Sequence, residues 1–190
     1  MTIEIRDPNL LAHSSLRALP ERLLRPKELA TLVSALGTDP HRWQSHIRYD
    51  PAERWHARVY WSPTVEVYLL SWDIGQDTRV HDHGGSSGAF YVAGGTLTEQ
   101  YGHLGVVSLD ERTHSVGAAA RFGPDYVHNL QNEGPAQAVS VHAYSPPLSI
   151  MRFYAASPRS GAYVPSYQLP CNGPEPDDTA PPIAIGATPG

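Results

Sequence analysis

The segment His81-Asp82-His83 is the first place where residue types and spacing point to chemistry. On an extended strand the side chains at i and i+2 share a face, so two imidazoles stand side by side while Asp82 turns away. Neutral imidazole is the commonest protein ligand for a divalent metal, and two such neighbours can chelate one ion. His128 offers a third, at the end of the turn-to-strand segment Gly123-Pro124-Asp125-Tyr126-Val127. The chain holds 10 histidines, and most carry less. His13, His41 and His46 fall in a leader that reads as helical. His103 and His114 flank a probable loop and read as solvated or partly buried.

A second constellation lies in the run Ala138 to Tyr144. Val139, Val141 and Ala143 alternate with Ser140, His142 and Tyr144, so three polar side chains share one strand face. If that face is buried, the row must hydrogen-bond to itself or to something bound. Strand neighbours in this order do not form the nucleophile elbow of a hydrolase.

Strands must position both groups. From Arg58 onward β-branched and aromatic runs such as Val65-Glu66-Val67-Tyr68-Leu69-Leu70 alternate with Gly-containing turns. Ala89-Phe90-Tyr91-Val92 runs into Gly94-Gly95 and out through Thr96-Leu97-Thr98, which reads as a hairpin. Closely spaced strands without intervening helices predict a mainly β, antiparallel sandwich or barrel. Ahead of them Pro26 suits a first helical turn, and Leu29, Leu32, Val33 and Leu36 follow at helical spacing to Gly37. Leu16, Leu19, Leu23 and Leu24 suggest a shorter helix, interrupted by Pro20. The last residues, from Cys171 to Gly190, are Pro-rich and read as an extended or disordered tail. The expected organisation is a helical segment over 1–50 packed on the barrel, a barrel over 51–170 and a tail over 171–190.

Composition narrows the partners. A chain of 190 residues with 41% hydrophobic residues can build one domain with a core. A net charge of -5 without a basic run excludes a nucleic-acid partner. No apolar stretch approaches the roughly 20 residues of a membrane span, and the N-terminus lacks a secretory layout. The single cysteine, Cys171, allows no internal disulfide and reads as a surface or tail thiol. The expectation is a cytoplasmic monomer.

Gly75-x5-His81-x-His83, continued to Gly95, resembles the first signature motif of the cupins, and Gly117 through His128 to Asn132 resembles the second. The resemblance implies a cupin-type, jelly-roll-like antiparallel β-barrel with its metal on these histidines. Gly123 and Asp125 stand where the second motif usually has Pro and Gly. Ser87 and Gly88 stand where many cupins carry a glutamate as fourth ligand. Three neutral ligands leave positions open for substrate and dioxygen, and favour an anionic thiolate. Glu99 falls beyond the expected hairpin turn and is discounted as a replacement.

The string Ser140-Val141-His142-Ala143-Tyr144-Ser145-Pro146-Pro147, with His81, His83 and His128, resembles the cysteine dioxygenase family of thiol dioxygenases. The resemblance implies ferrous iron on three histidines, with a small thiol and dioxygen as reactants and cysteine sulfinic acid as product. It further implies a relay of Ser140, His142 and Tyr144 ending beside the iron, and Arg58 gripping the substrate carboxylate. Animal members crosslink the tyrosine to a cysteine where this chain has Gly88. They also carry a tyrosine where this chain has His56, which changes the pocket beside the carboxylate. Arg58 favours cysteine over 3-mercaptopropionate, whose enzymes tend to have glutamine there. A dioxygenase of that or another small thiol, a non-catalytic cupin and a zinc-dependent cupin are the competing readings.

Overall fold

The computed structural model describes residues 3–105, 108–171 and 183–185. Strand β1 (Ile3–Glu4) is followed by helices α1 (Pro8–Leu11), α2 (Ser14–Arg17) and α3 (Pro26–Gly37). The strands then run β2 (His56–Trp61), β3 (Glu66–Trp72), β4 (His81–Asp82), β5 (Ser87–Gly94), β6 (Thr96–His103) and β7 (Asp110–Ser115). They continue as β8 (Ala119–Phe122), β9 (Tyr126–Gln131), β10 (Ala138–Ser145), β11 (Ile150–Ala156), β12 (Tyr163–Pro170) and β13 (Ile183–Ala184). One sheet has the order β1-β2-β3-β10-β5-β8, the other β13-β12-β11-β4-β9-β6-β7. All pairings are antiparallel except β1 with β2. The result is the expected mainly β, jelly-roll-like architecture.

The alternation along β10 sorts the molecule into two cores. Val139, Val141 and Ala143 join Val67, Leu69 and Ala89 on the outer face of the first sheet, under Leu29, Leu32, Val33 and Leu36 of α3. That helix starts at Pro26, as its sequence predicts, with Glu28 accepting from the Arg25 backbone N–H at 2.9 Å. It ends on Gly37, where a Cβ would strike the Tyr91 ring at 2.1 Å. Truncating one of these leucines to Ala costs about 2–5 kcal/mol. The second core lies between the sheets. Tyr68, Leu70, Trp72 and Phe90 of the first sheet meet Leu97, Leu130, Met151 and Phe153 of the second. Every histidine of the first constellation and every polar residue of the second opens into this inner space.

Three expectations are corrected here. Strands β5 and β6 do not form a hairpin: β5 pairs with β10 and β8, whereas β6 pairs with β7 and β9. Gly95, at φ 71 and with its missing Cβ only 2.6 Å from the Gln137 carbonyl oxygen, turns the chain from one sheet to the other. Cys171 is not a surface thiol; it is 4% exposed and belongs to the inner core. Its N–H donates to the Ser149 carbonyl at 3.0 Å, which carries strand pairing past Pro170. The rest of the expected Pro-rich tail, 172–182 and 186–190, lies outside the described residues, while Ile183–Ala184 pairs with Tyr167 and Gln168. Of the shorter leucine helix, only Ser14–Arg17 is helical; Leu16 and Leu24 are buried and Leu23 is exposed.

Candidate metal centre and the polar row beside it

His81 and His128 are direct partners across the β4–β9 ladder, and His83 follows one residue past β4. Their ring centroids are 4.8–5.0 Å apart. One nitrogen from each lies within 4.8 Å of the others, and all three side chains are buried. Burial first, then the other imidazoles, holds His81 and His83 well below the usual histidine range, so they stay neutral. Neutral rings are what a metal requires.

Two of the rings have their free nitrogen chosen for them. Nδ1 of His81 lies 2.9 Å from the Arg79 carbonyl oxygen, which can only accept, so Nδ1 carries the proton and Nε2 keeps its lone pair. Arg79 reaches this geometry at φ 57, the left-handed region that non-glycine residues seldom adopt. Nδ1 of His128 lies 2.8 Å from Oε1 of Glu99, with the same result. His83 differs. Neither of its ring nitrogens has a hydrogen-bond partner among the described residues, and its ring is stacked on Phe122 at 4.6 Å and tilted toward Tyr144 at 5.3 Å. A buried imidazole with both nitrogens unsatisfied is costly unless something binds it. The donor set therefore fits a metal ion. Asp82 does turn away, as expected. It accepts from the Gly84 N–H and the Tyr154 hydroxyl, each at 2.7 Å, and from Arg152, bracing the chain around His83 as it enters the turn at Gly84.

Ser140, His142 and Tyr144 form the expected row. Ser140 Oγ lies 2.8 Å from His142 Nε2, and His142 Nδ1 lies 3.3 Å from the Tyr144 hydroxyl. Trp72 adds a member that the sequence reading missed: its Nε1–H donates to Ser140 Oγ at 2.9 Å. The indole donates to Ser140 Oγ, and among the described residues the Ser140 hydroxyl has no acceptor other than His142 Nε2, so its hydrogen goes there and the His142 proton sits on Nδ1 facing Tyr144. The Tyr144 oxygen is thus an acceptor, and its own hydrogen is left to point elsewhere. Burial holds His142 neutral and Tyr144 protonated.

Arg58 lies on the inner face opposite Tyr68, but its charge is engaged. Its guanidinium pairs with Glu4 and lies 3.6 Å from Glu66, which itself accepts from Tyr68 at 2.8 Å. The guanidinium whose field reaches His81, His142 and Tyr144 belongs to Arg54. Arg54 lies 4.6 Å over the Trp72 ring, donates to the Asp77 carbonyl and is pulled by burial only to about 10, so it stays charged near neutral pH. His56 sits in that field and is lowered to about 4 by burial and then by Arg54. Nothing in the sequence ranked Arg54, which precedes β2, above Arg58, which lies on it. His114 and Glu99 were passed over as well. They are buried and meet at 2.7 Å. Leu97, Glu99 and Tyr101 share one face of β6, and that alternation was the available signal.

Two jelly-roll sheets with three histidines converging between them define a cupin with a candidate metal centre. The sequence profile of cysteine dioxygenase type I matches residues 16–157, most of the chain. The chain belongs to that family, whose members are thiol dioxygenases. Among solved structures it resembles a Thermus thermophilus protein at 24% identity and TM-score 0.48, covering 54% of this chain and 92% of that one. A Klebsiella pneumoniae protein with a double-stranded β-helix domain matches at 21% identity and TM-score 0.45, over 54% and 85% of the two chains. A cupin superfamily protein from Desulfitobacterium hafniense matches at 12% identity and TM-score 0.44, over 67% and 94%. At these scores the likenesses say nothing about the reaction. Among the described residues no helix is long and apolar enough to cross a membrane.

Proposed function

We propose that the chain oxidises the thiol of L-cysteine to a sulfinic acid, with ferrous iron held by His81, His83 and His128. The observation that carries this reading is His83, buried with both ring nitrogens unsatisfied between two neighbours whose Nε2 lone pairs are already turned inward. The balance is simple. One thiol and one dioxygen give one sulfinic acid; sulfur loses four electrons, dioxygen gains them, and no outside reductant is needed. Ferrous iron supplies a meeting point at which thiolate and dioxygen can exchange electrons.

The protein's own groups do the rest. The space between the sheets is lined by Phe90, Phe122, Met151 and Phe153, so little bulk water competes there. Tyr144, beside His83, would offer its hydroxyl hydrogen to the substrate, because its oxygen already accepts from His142. Ser140 and Trp72 hold that orientation. Beside the expected Arg58 we propose Arg54, whose charge acts on His81, His142 and Tyr144, with His56 next to it, as a group that meets the substrate carboxylate. Glu4 and Glu66 already neutralise Arg58, which ties β1 to the barrel.

The test is aerobic incubation of ferrous-loaded protein with cysteine, 3-mercaptopropionate and cysteamine, following oxygen uptake and sulfinate together. One sulfinate per dioxygen with cysteine as the best substrate is expected. Zinc-loaded protein should consume no oxygen. Best turnover with 3-mercaptopropionate would move the substrate assignment, and no oxygen uptake with any thiol would end the dioxygenase reading.

A further inference from the structure

Glu99 is 0% exposed, and its two oxygens face different groups. Oε1 accepts from His128 Nδ1 at 2.8 Å and from the Tyr126 hydroxyl at 2.9 Å. Oε2 accepts from His114 Nε2 at 2.7 Å and from Arg112 Nε at 2.8 Å. A buried carboxylate survives only when it is paired and hydrogen-bonded, and here Arg112 supplies the countercharge. Both oxygens are committed, so Glu99 could bind a metal directly only by giving up His128. It touches the site through that ring instead.

We propose that Glu99 is a positioning residue of the metal centre. It delivers through the His128 imidazole the negative charge that a fourth carboxylate ligand would deliver directly. Residues at the usual position for that ligand, Ser87 and Gly88, cannot supply it. A carboxylate on Nδ1–H fixes the tautomer, fixes the ring plane and makes Nε2 a stronger donor. Arg112 and His114 hold the far oxygen, so the near one stays aimed at His128. The three rings are thereby unequal. His128 leans on a carboxylate, His81 on the neutral Arg79 carbonyl, and His83 on no hydrogen-bonding group among the described residues.

This inference rests on the metal reading of the three histidines, and the experiment separates the two. Cobalt(II) and ferrous affinities are measured by chelator competition for wild type and Glu99→Gln, alongside the melting temperature of each protein without and with metal. Glutamine keeps the volume and an acceptor oxygen but removes the charge. The expected result is a tenfold to hundredfold loss of affinity, about what removal of such a partner typically costs, together with a smaller metal-induced rise in melting temperature. A purely structural Glu99 would lower the melting temperature of the metal-free protein and leave affinity unchanged, which overturns the proposal. A wild type that binds neither metal would instead overturn the metal reading. If Glu99→Gln does not fold, proton NMR of the cobalt-loaded wild type decides. Two slowly exchanging, hyperfine-shifted ring N–H signals are expected, from His81 and His128. A His128 ring N–H that exchanges rapidly means that no carboxylate holds it, and the proposal fails.

Discussion

Trp72 and Ser140, 68 residues apart, share a hydrogen bond of 2.9 Å, and it gives the polar row its direction. Without the indole donor the Ser140 hydroxyl is free to rotate, and His142 can take either tautomer. Trp72→Phe should therefore slow turnover by roughly twofold to tenfold, the worth of one hydrogen bond of about 0.5–1.5 kcal/mol. Tyr144→Phe should do at least as much while leaving metal content unchanged. The double variant should be little worse than Tyr144→Phe alone, because both changes break one chain. Strictly additive losses would mean that Trp72 acts by packing and not through the row.

Gly88 concerns a different neighbour of Tyr144. A Cβ there would meet the Phe122 ring at 2.4 Å and Tyr144 Cδ1 at 3.0 Å. Gly88→Cys, which would restore the sulfur that animal members crosslink, should cost about 1–3 kcal/mol by overpacking and lower the melting temperature by roughly 2–4 °C per kcal/mol. Adding Phe122→Leu should recover part of that loss. Differential scanning calorimetry reads both. An unchanged melting temperature in the single variant would show that Phe122 moves aside freely.

Arg54 and Arg58 make opposite predictions. If Arg54 meets the substrate carboxylate, Arg54→Ala removes one partner of a charge-assisted pair, at a typical cost of about 2–5 kcal/mol, or roughly thirtyfold to several thousandfold in affinity. The loss should appear with cysteine and be small with cysteamine, which lacks a carboxylate. Arg58→Ala should treat the two thiols alike and lower thermal stability by loosening β1. The reverse pattern in steady-state kinetics would return the carboxylate to Arg58.

His56 gives the pH prediction. Its folded value is about 4 against an ordinary 6.5, so between these limits the unfolded chain binds more protons. Its contribution is fully present above pH 6.5, is lost as pH falls toward 4, and levels off below. The slope is at most about 1.4 kcal/mol per pH unit. His81, His83 and His142 act in the same direction in metal-free protein. Urea unfolding of metal-free wild type and His56→Gln across this window should show a shallower slope in the variant. Equal slopes would mean that His56 is solvated.

Much of this was legible in the residues. Period-two alternation placed Ser140, His142 and Tyr144 on the inner face, and the spacing of Leu29, Leu32, Val33 and Leu36 found α3. His81, His83 and His128 were readable from their motifs. What escaped was long-range. Gly94-Gly95 looks like a hairpin turn because local sequence does not say which sheet the next strand joins. Treating it as one hid Glu99, which β6 carries beneath His128. Arg54 precedes β2 and Arg58 lies on it, and it takes their surroundings, Trp72 and Asp77 among those of one and Glu4 and Glu66 for the other, to tell them apart.

The second sheet is joined across its middle by β4, a strand of two residues. On one side β4 meets β11 through Phe153 and Arg152; on the other it meets β9 through His128 and Val127. The sheet is thus two three-stranded halves sewn along a narrow seam, and one stitch of that seam is the pair His81 and His128. An ion shared by these rings closes a loop of nearly fifty residues and fastens the seam with bonds far stronger than backbone hydrogen bonds. Metal occupancy would then raise the cooperativity with which the two halves unfold. Without an ion there, the two halves are held by that narrow backbone seam and by the inner core alone.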